Sequence, residues 1–254
     1  MHRSSCFGRQ QRTGCSVGVR SPDRWPLHEI PPLFTILKGT DMKKILTTAG
    51  LILAATPALA HHPLGGLPME TFTHGLASGV GHPVLGFDHL FFVVAMGIAA
   101  LFTANRLATP AAYIGAMLAG CALMYAGIAM PIAETMIVLS LIVVGGIVLS
   151  GKALSTPVAM LVFAGFGLFH GSAFGASIAG QEGGIGGAVL LGYLIGLGAI
   201  QYLIAVGAGW AIRKLGASDA RAMNARLGGA MVAGVGLFLA LEIVEGPLVA
   251  LIAA

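Results

Sequence analysis

Two imidazoles and a carboxylate stand within the eight residues His82-Pro83-Val84-Leu85-Gly86-Phe87-Asp88-His89, at the mouth of an apolar stretch. Phe169-His170-Gly171 places a third imidazole inside a later apolar stretch. Ionisable side chains are expensive in hydrocarbon, so their presence there points to a site that handles ions. Imidazole nitrogen together with carboxylate oxygen suits nickel, cobalt, zinc or copper better than magnesium or calcium, and ligand type alone leaves the choice among the four open. Spacing adds a condition. In a continuous helix the seven residues from His82 to His89 span about 10.5 Å, too far for ligands that each sit about 2 Å from one ion. The segment must therefore bend, and Pro83 and Gly86 are the residues that disfavour an unbroken helix. Asp88 either ligates the ion directly or holds an imidazole tautomer from behind.

Other polar residues carry a plain reading beside the functional one. His170 is a ligand or simply hydrogen-bonds a neighbouring helix; His82, Asp88 and His89 together are a site or a polar cap, with Asp88 near a helix N-terminus. Glu134 lines the ion path or favours the N-terminus of its own helix. His74, eight residues before His82, is a weaker candidate. His61 and His62 could chelate a metal with a free amine or form a polar chain end. Glu242 and Glu245 share a helix face and could carry protons, with Glu245 also able to reach the outer interface. Met96, Met117, Met124 and Met160 read as packing or lipid-facing residues, and Cys6, Cys15 and Cys121 form no CxxC pair.

The elements that position these groups are membrane helices. Hydrophobic residues make up 56% of the 254 and charged residues 9%, far from a soluble composition. From Leu85 onward, six apolar stretches long enough to cross a bilayer fall at about 85–104, 108–130, 132–150, 156–180, 185–212 and 228–252, which predicts an all-α polytopic membrane protein. Pro131 is expected in the first turn of the third of these helices. Gly165, Gly167, Gly171, Gly175, Gly192, Gly196 and Gly198 recur at helical spacing, and most of them read as sites of close helix packing. Eight of the fourteen basic residues precede residue 61, and the remaining six face seven acids. The body is thus near neutral, and nucleic-acid binding has no support. Arg106, Lys152 and the cluster Arg213 to Arg226 fall in alternate loops, which the positive-inside rule makes cytoplasmic. The polar candidates then lie in the outer half or at the midplane, around a cavity expected to open to the exterior.

Met42-Lys43-Lys44, an apolar run from Ile45 and Ala58-Leu59-Ala60 have the n-region, h-region and cleavage site of a secretory signal. The expectation is a cleavable signal peptide over residues 42–60, a mature permease domain over 61–254 with a periplasmic N-terminus, and residues 1–41 as an untranslated or disordered extension. An uncleaved signal anchor is the alternative.

His82-Pro-x-x-Gly86-x-Asp88-His89 and Phe169-His170-Gly171-x-Ala173-x-Gly175, behind a signal peptide and within six spans, resemble the HupE/UreJ family of nickel and cobalt permeases over residues 61–254. The resemblance implies that His82, Asp88, His89 and His170 belong to the metal path and that Glu134 matches an acidic position of the third span. The chain departs from the family pattern where a Glu usually follows the last Gly by two residues and a His often precedes it: here stand Ser177 and Phe174. The expected function is secondary uptake of nickel or cobalt across a bacterial inner membrane to supply a hydrogenase or urease, with the ion as transported substrate and no permanently bound cofactor. A homo-oligomer stays open. No GxxxxGK[ST] sequence is present, so ATP hydrolysis by this chain is not expected. The rivals are a membrane-embedded metal-dependent enzyme and a metal sensor or accessory protein that does not transport.

Overall fold

A computed structural model describes residues 68–180 and 185–253. The expected signal peptide, the upstream extension, His61 and His62 lie outside the described residues. Seven helices are described: α1 (Phe72–Leu85), α2 (Phe87–Leu101), α3 (Ala108–Tyr125), α4 (Ala133–Ser150), α5 (Thr156–Ala179), α6 (Gly187–Lys214) and α7 (Met223–Ala253). The fold is all-α among the described residues, as expected. Helices α3 to α6, and α7 from Met223 to Gly246, are each long and apolar enough to cross a membrane.

The first expected span is corrected. A stretch over 85–104 is replaced by two shorter helices, α1 and α2, which meet at Gly86 with a bend of 79° and pass as a spanning element only together. At 14 and 15 residues, neither alone covers a hydrocarbon core of about 30 Å at 1.5 Å per residue. The break falls at Gly86, whose backbone is extended (φ −81°, ψ 99°). Pro83 is not part of it, because Pro83 lies inside the last turn of α1. Pro131 also differs from expectation: it sits in the turn before α4, whose N-cap is Ile132 in the left-handed region at φ 54°. The sixth expected span begins five residues early, at Met223.

Local signals account for the ends. Thr71 caps α1 by accepting a hydrogen bond from the His74 N–H at 3.1 Å, satisfying one of the orphan donors of the first turn. Gly151 closes α4 at φ 69°, a conformation that costs glycine little. Arg213 and Lys214 lie in the last turn of α6, where positive charge complements the helix dipole.

Packing relies on backbone proximity rather than bulk. A Cβ at Gly75 or Gly79 of α1 would lie 2.1 Å from Val189 O or 2.2 Å from Tyr193 O of α6, and one at Gly192 of α6 would lie 2.2 Å from Phe72 O. The two helices thus interlock through reciprocal glycines, a contact available only to small residues in a membrane. Gly171 of α5 approaches Met117 O of α3 in the same way, at 2.0 Å for an added Cβ. The expected packing role holds for Gly167, Gly171, Gly175, Gly192 and Gly196, whereas a Cβ at Gly198 would make only ordinary side-chain contacts from 3.4 Å and one at Gly165 would meet nothing within 4 Å. The shorter α2 occupies the centre and touches all six other helices. The three basic loops converge at one end: Phe102, Lys152 and Ala220 line one small cavity, and Arg226 Nε donates to Leu149 O at 2.9 Å.

Candidate metal-ion site

The bend at Gly86 brings together what a continuous helix would separate. His82, in the last turn of α1, and His89, in the first turn of α2, have ring centroids 6.1 Å apart. His170 comes from the middle of α5, its ring 5.0 Å from that of His89. The three side chains are buried, at 5%, 4% and 0% exposure for His82, His89 and His170. Phe174 packs against His82 at 5.1 Å and His89 at 4.2 Å, while Phe92 lies 4.4 Å from His170. The expected cavity open to the exterior is therefore not what surrounds the imidazoles; aromatic rings enclose them. Asp88 is the more exposed member, its side chain 26% accessible.

The hydrogen bonds assign the protons. Ser140 of α4 sends its hydroxyl hydrogen to Ile137 O at 2.5 Å, so its oxygen accepts from His170 Nε2–H at 2.9 Å. A neutral imidazole carries one N–H, which leaves His170 Nδ1 as an acceptor. His89 Nδ1, 2.8 Å away, must then be the donor. His89 Nε2 consequently faces Asp88 Oδ2 at 3.9 Å, while Asp88 Oδ1 accepts from the His89 backbone N–H at 2.8 Å. A separation of 3.9 Å is just under two metal–ligand bonds of about 2.0–2.1 Å. Asp88 Oδ2 and His89 Nε2 are thus spaced to touch one ion from both sides, at the N-terminus of α2. Among the described residues, however, no three His, Cys, Asp or Glu side chains form a ready group around a metal.

His82 is held by hydroxyls. Its Nδ1 lies 3.3 Å from both Ser177 Oγ and Tyr193 Oη, and both hydroxyls also donate to Phe174 O, at 2.8 Å and 3.2 Å. Ser177, at the place where an acid was expected, therefore faces the first motif after all, as a neutral partner.

The other candidates fall elsewhere. His74 Nδ1 accepts from the Glu70 N–H at 3.3 Å, at the start of α1 and about 12 Å along the axis from His82. Glu134 lies exposed in the first turn of α4, six residues and about 9 Å along that helix from the Ser140 that meets His170. Glu242 is exposed on α7. That helix starts at Met223, which puts Glu242 about 29 Å along it. Sequence reasoning missed Ser140 and Tyr193, which orient the imidazoles, and Phe174 as their shared wall. Their signal was present: polar side chains in apolar spans ask for partners whether or not they ionise.

The family described as HupE / UreJ protein matches residues 49–239. Protein HupE of Rhizobium leguminosarum bv. viciae is 31% identical over 201 residues, covering 78% of this chain and 98% of its own. No solved structure matches. With three-quarters of its length matched by one family, and a relative that it spans almost end to end, the chain belongs to the HupE/UreJ family.

Proposed function

We propose that this protein carries nickel or cobalt ions into the cytoplasm across a bacterial inner membrane, as six spans behind a cleaved signal peptide, for use by a hydrogenase or urease. The observation that carries the reading is the line from the partly exposed Asp88 through the buried His89, His170 and Ser140, where a broken helix enters an apolar bundle. An arriving ion meets Asp88 Oδ2 and His89 Nε2 first, its remaining ligands being water. His82 joins by turning its ring away from the Ser177 and Tyr193 hydroxyls that face its Nδ1. Two protein ligands with water completing the sphere bind weakly enough for the ion to leave again, as transport requires. An inside-negative potential favours inward movement of a divalent ion by about 4.6 kcal/mol per 100 mV. Glu134 attracts cations toward the same end of the bundle.

The test is uptake of radioactive nickel and cobalt into proteoliposomes by the native chain and by His82→Ala, Asp88→Ala, His89→Ala and His170→Ala. Uptake by the native chain that all four variants lack is the expected result. Native uptake that survives in all four defeats the site, and a native protein that moves neither ion defeats the carrier reading.

A further inference from the structure

At the basic end, α2 stops at Leu101 while α6 continues to Lys214. The two backbones touch where a Cβ on Gly97 would lie 2.1 Å from Ala205 O, and beyond that contact a groove of about 220 Å³ opens between them. It is lined by the apolar Leu101 and Val206, by the exposed Leu107 and Trp210, and by Arg106 and Arg213. Tyr202 Oη donates to Leu107 O at 3.3 Å and ties the α2–α3 loop to α6 over it.

The charges of the two arginines are uncompensated. Among the described residues, the one ion pair is the distant His89–Asp88 contact. The nearby acid Asp219 accepts from the Arg221 N–H at 2.8 Å and from Ser218 Oγ at 3.4 Å. Two other cations of this end have protein contacts: Lys214 Nζ lies over the Trp210 ring at 5.8 Å, and Arg226 bonds Leu149 O. Arg106 and Arg213 have no such partner among the described residues, and they face the same groove. Trp210 and Leu107 beside them are 63% and 51% exposed, at the level where α3 begins its apolar run. Tryptophan and basic residues at the ends of membrane helices mark the headgroup layer.

We propose that this groove binds an anionic phospholipid, its phosphate between Arg106 and Arg213 and its acyl chain along Leu101, Val206 and the Trp210 ring. A free inorganic anion would use the two guanidinium groups but leave the apolar lining and the indole without an occupant. A zwitterionic lipid would cover the apolar lining but bring its own positive charge to the arginines. The site lies at the end of the bundle away from the imidazoles and does not depend on what ion the protein carries.

Native mass spectrometry of the full chain in mild detergent tests this, with phosphatidylglycerol and phosphatidylcholine added separately and inorganic phosphate as competitor. Phosphatidylglycerol is expected to remain bound preferentially. Replacing both arginines, as Arg106→Gln with Arg213→Gln, weakens it about thirtyfold, at roughly fivefold for each basic side chain near a membrane surface. The single variants, at about fivefold each, carry the test should the double variant fail to fold, and Arg221→Gln leaves retention unchanged. Equal retention of the two lipids, native-level retention after loss of the arginines, or an equal loss in Arg221→Gln overturns the site. Displacement of the lipid by millimolar phosphate also overturns it, because the groove would then be a small-anion site.

Discussion

Two polar clusters lie buried in this bundle, and they are built differently. In the deeper one, Tyr113 of α3 donates to Gln201 Oε1 of α6 at 2.8 Å, and Gln201 Nε2 donates to Leu197 O at 3.2 Å and Met117 Sδ at 3.8 Å. Both residues are wholly buried and neutral, and each polar atom points at a fixed partner. The other cluster is the histidine line, which begins at a partly exposed carboxylate and a helix break. Burial of polar groups is common to both and so marks neither as an ion site. The difference lies in atoms that can take up a cation: a carboxylate oxygen and a ring nitrogen 3.9 Å apart at a place where the backbone is interrupted. The Tyr113 ring stands only 6.0 Å from that of His170, so saturation of its hydrogen bonds, rather than distance, separates the two clusters.

Substitutions can break this contrast. The largest effect is expected from His89→Ala or His170→Ala, which should lower metal uptake up to about a hundredfold, as loss of a ligand or its orienting partner does, while Gln201→Leu leaves uptake within a few-fold. Loss of uptake in a well-folded Gln201→Leu protein would make the neutral pair part of the path and erase the distinction. Gly79→Ala comes next. Its Cβ meets the Tyr193 backbone oxygen at 2.2 Å, which should cost about 2 kcal/mol in thermal unfolding by overpacking, against no change for Gly146→Ala, where nothing lies within 4 Å. Tyr193→Phe removes one hydroxyl from His82 Nδ1 and should raise the KM for uptake about tenfold with little change in maximal rate; an unchanged KM would remove Tyr193 from the site. The smallest effect is expected from Tyr113→Phe. It deprives Gln201 Oε1 of its donor and should lower stability by about 1 kcal/mol, with the uptake rate of the folded fraction intact.

Much of this architecture is legible in the sequence. Long apolar runs between Gly, Pro and basic residues give α3 to α7 their approximate bounds, because length and hydropathy suffice for a helix that must satisfy its backbone in lipid. The need for a bend between His82 and His89 follows from helix rise alone. Helix α1 is not legible in the same way. Phe72–Leu85 contains three glycines, two histidines and a proline, a poor helix former by propensity, and it is held by close approach to α6, a tertiary cause that no local pattern announces. Apolar length alone therefore starts the first span at 85, and local propensity alone gives Pro83 a share in the break. Of the site, the ionisable members are visible as expensive residues in apolar surroundings. The hydroxyls of Ser140, Ser177 and Tyr193 are not, because which turn of one helix faces which turn of another depends on packing register rather than on composition.

Gly86 has a further consequence. Its extended backbone, at φ −81° and ψ 99°, is open to any amino acid, so glycine is not needed there for rotation. What limits the position is clearance: a methyl group would stand 3.0 Å from His89 Cδ2 and 3.3 Å from Asp88 Oδ1. Residue 86 therefore sets the clearance beside carboxylate and imidazole, and a single added carbon there would press on both side chains at once without altering either of them.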